Sequence, residues 1–380
     1  MAATDAGTPG SVGRRLQRAL ERFAPRLAGA LGSLLAISGA KAVDLPENRA
    51  EAAYHIYRGG GVTAGGPALL VRKSLADRVS LSGSYYVDMV SNASIDVVTT
   101  ASPFKETRNV WEVGADMVVR DSIVSVSTSR STEPDYIASA VSVDVSQELY
   151  GAMTTVNLGF TRASDQVGQR DRGFFDTARH WQYRLGVTQI LSPRWYASVN
   201  FEAVSDAGFL GSPYRAARVF GTTVPERNPR ARTSRAVKFS TAYDLGERNA
   251  VKGDYRYFWD TWGVRAHTLQ ATYSRYIGER WLADGHARFY TQRKALFYAD
   301  NATAETLYLS RNRQLSTFDN LSIGGKLAYS VGRMAEHFDV KLHGSYELMR
   351  FKFKDFTDVR TGSNFAYDAH VLQVFVSATF

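Results

Sequence analysis

Residues 79–89 read VSLSGSYYVDM. Val79, Leu81, Gly83, Tyr85, Val87 and Met89 fall on one face of an extended chain, and Ser80, Ser82, Ser84, Tyr86 and Asp88 on the other. This alternation marks a β-strand with one apolar and one wet face. It recurs: Val141, Val143 and Val145 alternate with Ser142, Asp144 and Ser146, and Trp195, Ala197, Val199, Phe201 and Ala203 with Ser198, Asn200 and Glu202. Leu321 to Val331 and Val340 to Leu348 behave the same way. Such runs reach about 10–13 residues, whereas strands of soluble domains have a length near 5–6. A tilted strand of about 9–11 residues crosses the hydrocarbon core of a bilayer. Length therefore favours a membrane barrel over a soluble sandwich. The charges on the polar face do not decide, because a sandwich can carry them on its solvent side.

Fourteen runs of this kind lie near 78–90, 107–119, 121–130, 135–147, 153–163, 180–191, 194–205, 234–246, 250–260, 263–277, 280–293, 313–331, 337–350 and 366–380. Two weaker candidates, 50–58 and 66–73, precede them. The connections alternate between a short set (120–121, 148–152, 192–193, 246–249, 278–279, 332–336) and a long set (91–106, 164–179, 206–233, 294–312, 355–365), with 131–134 and 261–262 short on the long side. The prediction is an all-β fold: an antiparallel transmembrane β-barrel of 14 to 16 strands, with short periplasmic turns and long extracellular loops. Trp111, Trp181, Trp195, Tyr196, Trp259, Trp262, Tyr276, Trp281, Phe351 and Phe353 near strand ends predict two aromatic girdles. The chain closes on Leu372, Val374, Val376, Ala378 and Phe380. This resembles the C-terminal signal read by the barrel assembly machinery of outer membranes, with Phe380 its strongest element and Ala378 a departure from the more usual aromatic.

Composition narrows the function. The 380 residues contain no cysteine, which excludes disulfides, thiolate metal sites, iron–sulfur clusters and a cysteine nucleophile. Aromatics at 12% argue against disorder. Arg14, Arg15, Arg18, Arg22 and Arg26 precede an apolar stretch, Leu27 to Ala40, and Ala40-Lys41-Ala42 supplies a cleavage pattern. Residues 1–42 therefore read as a signal peptide that is removed, and 43–380 as a single barrel domain. The leader carries a net +4, leaving +5 for the rest. That modest charge calls for no nucleic-acid partner.

Polar-face positions predict a lumen lining of both signs, with Asp88, Glu112, Asp116, Asp144, Glu202, Arg256, His286 and Arg288 as its leading members. It fits an ion-pair network across a narrow lumen as well as a selectivity lining. The loop 206–233 contributes Arg215, Arg218, Arg227, Arg230 and Arg232. These suit anions or the phosphates of lipopolysaccharide, or form a solvated loop. Gly59 to Gly66 is glycine-rich but lacks the Gly-Lys-Ser/Thr ending of a phosphate loop; it reads as a tight loop or an inward-folded segment. The seven histidines show no zinc spacing, and no Gly-x-Ser-x-Gly element is present, so neither metal nor catalytic residue is assigned and no enzyme is expected. No haem or flavin attachment site is identifiable, and no cofactor is expected.

Five stretches together carry a family resemblance: GGGVTAGGPALLVRK at 59–73, SYYVDMVSNASIDVVTTASPFKE at 84–106, YRLGVTQIL at 183–191, YRYFWDTWGVRAH at 255–267 and QLSTF at 314–318. They resemble an uncharacterised family of bacterial exported proteins, a domain of unknown function predicted to form outer-membrane β-barrels. The match runs over nearly all of the chain after residue 42, and the segment around Asp88 and Asp96 is its most specific part. The resemblance implies a fold and a Gram-negative outer-membrane location. It also implies partners, a small lipoprotein or a flavin-transferring enzyme, and with them a role in extracytoplasmic electron transfer. Three functions are then expected in turn: passage of small solutes, a scaffold for such an envelope partner, or a rim enzyme dependent on Asp88 or Asp96. Loop 91–106 and the segment 59–66 are the candidates for folding inward.

Overall fold

A computed structural model describes residues 43–76, 78–92, 104–169, 172–334 and 337–380. The leader 1–42, and Asp96 with most of loop 91–106, lie outside the described residues. The strands are β1 (Arg49–Gly59), β2 (Val62–Ala76), β3 (Val79–Asn92), β4 (Phe104–Val119), β5 (Ser122–Thr132), β6 (Tyr136–Leu149), β7 (Thr154–Gln169), β8 (Phe174–Ser192) and β9 (Trp195–Gly208). There follow β10 (Ala216–Val219), β11 (Thr222–Pro225), β12 (Ala231–Gly246), β13 (Asn249–Asp260), β14 (Arg265–Ile277), β15 (Trp281–Arg293), β16 (Phe318–Met334), β17 (Phe338–Thr357) and β18 (Asn364–Thr379). Sixteen of them close into one antiparallel barrel; β10 and β11 form a separate hairpin. The seam joins β1 to β18, with Arg49 opposite Thr379. The two weaker candidates of the sequence are thus strands, and sixteen is the count.

Closure leaves no free sheet edge, which a backbone in hydrocarbon requires. It also gives every strand two faces. Leu69, Val71, Leu81, Val113, Val141, Leu185, Leu269, Leu321, Ile323, Leu342 and Val374 are all exposed, and they share the outward parity all round the cylinder. An apolar belt this continuous is the lipid-facing surface of a membrane barrel. On the inward face the wall is small and polar, with Ser80 and Ser322 wholly buried.

Several sequence boundaries need correction. The segment 164–179 is not a long loop: β7 runs to Gln169 and β8 begins at Phe174. Beyond Phe160 the outward positions of β7 become Arg162, Ser164 and Gln166. The strand there has left the hydrocarbon, and the apolar half of the alternation is lost with it. The glycine-rich run does not fold inward. Gly60 and Gly61, with φ of 57° and 81°, make a two-residue hairpin turn between Gly59 and Val62, and Val62 to Gly66 already belong to β2. Positive φ at both central residues is what this turn type demands and glycine supplies. Not all of the expected girdle aromatics face outward. Trp262, Phe351 and Phe353 lie on the inside, and Tyr196 and Tyr276 have the inward parity at the short-turn end, where Trp195 and Trp281 are exposed on the outward face. Phe380 follows β18; its N–H donates to Asn48 O at 3.1 Å, and its ring meets Phe338 and the Lys73 ammonium.

Candidate functional site

The inner surface divides into two levels. The middle of the barrel carries charge. Arg184 on β8 reaches across β7 to Asp144 on β6, with Nη2 donating to both carboxylate oxygens at 2.7 and 2.9 Å. Gly159 on β7 is the register partner of both. A Cβ at Gly159 would come within 2.2 Å of Asp144 Oδ1 and 2.7 Å of Arg184 Nε, so glycine is what lets the bridge pass. Gln182 donates to Glu202 at 3.0 Å, Glu202 lies 3.6 Å from Arg256, and Asp254 is held by Lys238 at 3.0 Å. Asp144, Arg184, Glu202, Lys238 and Arg256 border a cavity of about 280 Å³. Asp144, Glu202 and Arg256 remain wet, Asp144 keeping 46% of its side-chain exposure and Glu202 and Arg256 37% each, whereas Asp254 keeps only 11%.

The other sequence candidates have the same inward parity but do not converge on one point. Asp116 pairs with Arg72 at 3.4 Å and accepts from Ser125 at 2.6 Å. Asp88 is 2.8 Å from His55 Nε2 and accepts from the Tyr86 hydroxyl at 3.1 Å, with the His55 and Tyr86 rings stacked. His286 stands 3.7 Å from Glu347. Glu112 and Arg288 are exposed. Apart from Glu112 and Arg288, these candidates form separate pairs around the wall, and among the described residues they gather no group of three metal ligands.

The long-loop end is packed instead. Phe318, Phe351, Phe353, Phe365 and Tyr367 project inward from β16, β17 and β18 and close around Phe356, which is wholly buried. The connection 294–317 lies over them. Its Arg311, 5% exposed in the side chain, donates to Asp300 and to Thr357 O at 2.7 Å and sits 4.3 Å above the Phe356 ring. Tyr298 donates to Asp355 O at 2.9 Å, and burial raises its phenol pKa. A second cluster joins Trp262, Val264, Ala295, Tyr298 and Leu315. The connection 209–230, with its β10–β11 hairpin, is zipped to 294–317 by backbone bridges Arg227–Leu309 and Val219–Ala302. The two connections form one lid.

The loop arginines are built into this lid. Arg230 makes a forked pair with Asp176 at 2.7 and 2.9 Å, which holds the Asp176 carboxyl below the usual carboxylate range. Arg218 donates to Gly221 O within its hairpin, and Arg227 to Glu305. Arg215 borders a cleft of about 420 Å³ together with Arg232, Glu226, His180 and Asp206.

His180 was reachable from the sequence only as one histidine among seven. Its Nδ1 lies 2.7 Å from Asp206 and its Nε2 2.9 Å from Asp165, which also accepts from the Tyr136 hydroxyl. Its outward neighbours Arg162 and Arg179 place it above the hydrocarbon. The bonds to Asp165 and Asp206 outweigh burial and raise its pKa to about 10. His180 is therefore an imidazolium at neutral pH. It bridges β7, β8 and β9, and is not poised to take a proton.

No curated protein is significantly similar in sequence. Among solved structures the chain is similar to a bacterial polysaccharide outer membrane secretin, at 9% identity and a TM-score of 0.47, covering 88% of this chain and 99% of that one. It is similar also to in-vitro folded OmpT, an outer membrane protein of Vibrio cholerae, at 8% identity and a TM-score of 0.45, covering 90% and 100%. The CymD monoaromatic hydrocarbon channel gives 10% identity and a TM-score of 0.41 over 88% and 89%. The closed ring of strands, rather than these distant likenesses, defines the fold. Residues 169–344 match the family model for a protein of unknown function, DUF3570. Of the five stretches that carried the resemblance, 183–191, 255–267 and 314–318 fall inside that span, and 59–73 and 84–106 precede it. The part of the chain that matches the DUF3570 model thus lies within a sixteen-stranded antiparallel β-barrel.

Proposed function

We propose that the protein is exported to the outer membrane of a Gram-negative bacterium, assembled there with Phe380 at the end of its last strand as the recognition signal, and passes small polar solutes under a constricted extracellular mouth. The observation that carries this reading is the exposure of Asp144, Arg184, Glu202 and Arg256 in mid-lumen. A charged side chain on that wall stays accessible only where water stands beside it. Barrels of 16–18 strands are wide enough for an aqueous channel. Because the wall charges are compensated in pairs, the lining selects weakly by sign and favours small zwitterionic or neutral polar solutes over strongly charged ones. The lid of 209–230 and 294–317 limits their size. The rim has no assigned chemistry: His180 holds its proton too tightly to act as a base.

Planar-bilayer recording of the purified, folded protein tests the reading. Discrete steps of small unit conductance are expected, with a reversal potential near zero in symmetric-mobility salt gradients. A folded barrel that gives no steps, with or without the lid intact, would instead act as a scaffold. Co-purification of a lipoprotein or flavoprotein would then identify its partner.

A further inference from the structure

The lipid-facing surface is not uniform. On β12 to β15 the outward row at the long-loop edge runs Arg235, Trp259, Arg265, Arg293 by direct register. Arg265 and Arg293 are immediate cross-strand partners, and both are exposed. Like charges directly opposite each other destabilise a sheet. Neither these two nor Arg235 has a carboxylate partner among the described residues. The next outward row holds Tyr257 and His267; below it come Phe239, Tyr255 and Leu269.

Two cavities follow this gradient. The upper, about 670 Å³, is lined by Arg265, Arg293, His267, Tyr257, Tyr255 and Phe239. The lower, about 480 Å³, shares Phe239 and Tyr255 with it and continues past Gly253, Leu269, Ala197 and Trp195. The small residues make its floor. Trp195 Nε1 donates to Thr241 Oγ1 at 2.7 Å, Gln189 Nε2 to Ile190 O at 3.0 Å and Ser240 to Asp254 at 2.5 Å, so these polar groups of the lining are satisfied within the wall. From Arg235 to Thr241 the trench spans about 20 Å of strand, a large part of the ~30 Å hydrocarbon thickness.

We propose that this trench binds a phosphorylated, multiply acylated glycolipid of the outer leaflet, its phosphate bridging Arg265 and Arg293 and an acyl chain lying along Gly253. A guanidinium pair is suited to a shared phosphate, which relieves the repulsion between the two cations. Paired tyrosines at the boundary suit a sugar above and chains below. The site is on the outer surface and owes nothing to the state of the lumen.

The test titrates the folded protein in detergent micelles with bis-phosphorylated lipid A, with its dephosphorylated form, with phosphatidylglycerol and with inorganic phosphate. Binding is read by native mass spectrometry and by the thermal midpoint. The expected result is retention of lipid A and a raised midpoint, with no shift from inorganic phosphate or the dephosphorylated lipid. The double variant R265E/R293E should bind lipid A at least tenfold more weakly. Gly253→Trp should fill the trench and weaken it too; a Cβ there meets only Thr241 Cγ2, at 3.8 Å, so the backbone has room for a side chain at this position. Heat-modifiable migration and unaltered conductance verify that both variants are folded. Undiminished lipid A binding by both variants overturns the site. Equal binding of phosphatidylglycerol or inorganic phosphate overturns the glycolipid assignment.

Discussion

The middle of the barrel and its long-loop mouth are built on the same inward-facing positions and yet obey opposite rules. In the middle, Asp144, Arg184, Glu202 and Arg256 are paired across strands and each retains contact with water. At the mouth the same parity delivers phenylalanines, and the guanidinium stacked on Phe356, that of Arg311, is sealed in with an acid, a carbonyl and a ring. Water decides the difference. Where it remains, a charge can be replaced at small cost; where the lid excludes it, a lost partner leaves a buried group unsatisfied. The lid is thus the stable part of the lumen, and the charged middle is the part free to vary with the solute.

The largest effect should come from breaking the mouth. Phe356 is completely buried, and Phe356→Ala should cost about 3–5 kcal/mol of local packing. Arg311→Ala should cost less, about 1–3 kcal/mol, because it leaves Thr357 O without its donor while Asp300 keeps some contact with water. The barrel has its own strand ladder, so both variants should remain heat-modifiable. The measurement is limited proteolysis within 294–317, expected to be fast in either variant and absent in the parent, together with a rise in unit conductance. Parent-like protection would mean that the clusters do not hold the lid.

Those residues also show what the sequence made legible. Alternation assigned the faces, and the faces gave the barrel. Phe351 and Phe353 were read as girdle residues from their place near a strand end. Yet Leu342, Tyr346 and Leu348 set the outward parity of β17 as even, and the two phenylalanines are odd. The signal was present, and proximity to the end obscured it. The Asp144–Arg184 bridge was not legible, because it depends on Gly159 lying between them on a third strand. Register across strands is fixed by turn lengths and bulges that period two does not encode. His180 was hidden for the same reason: Asp165 and Asp206 are brought to it only by the pairing of β7, β8 and β9.

A pH scan sharpens the comparison at the border of the two levels. The folded pKa of His180 is raised to about 10, above the ordinary value near 6.5. Its contribution is complete below pH of about 6.5 and is lost as pH rises through about 10. The thermal midpoint of the parent should therefore fall more between pH 7 and 10 than that of His180→Gln, the other titrating groups being common to both. Parallel curves would show that the clamp adds nothing to stability.

Within the wet middle, Arg184→Ala should lower stability by about 1 kcal/mol or less, since both partners of its pair are solvated. Its effect on permeation should be larger, because Asp144 is left as an uncompensated negative charge facing the solute path. The reversal potential in a salt gradient should move toward cation selectivity, and Asp144→Asn in the same background should restore it. Gly159→Ala gives a third arm: its Cβ would occupy the space between Asp144 and Arg184, so it should separate the pair while leaving both charges on the wall. A selectivity shift in Arg184→Ala but not in Gly159→Ala would mean that the number of charges matters and their pairing does not. A shift in both would make the geometry of the bridge the selective element. That outcome would place the specificity of this barrel in its strand register rather than in its composition.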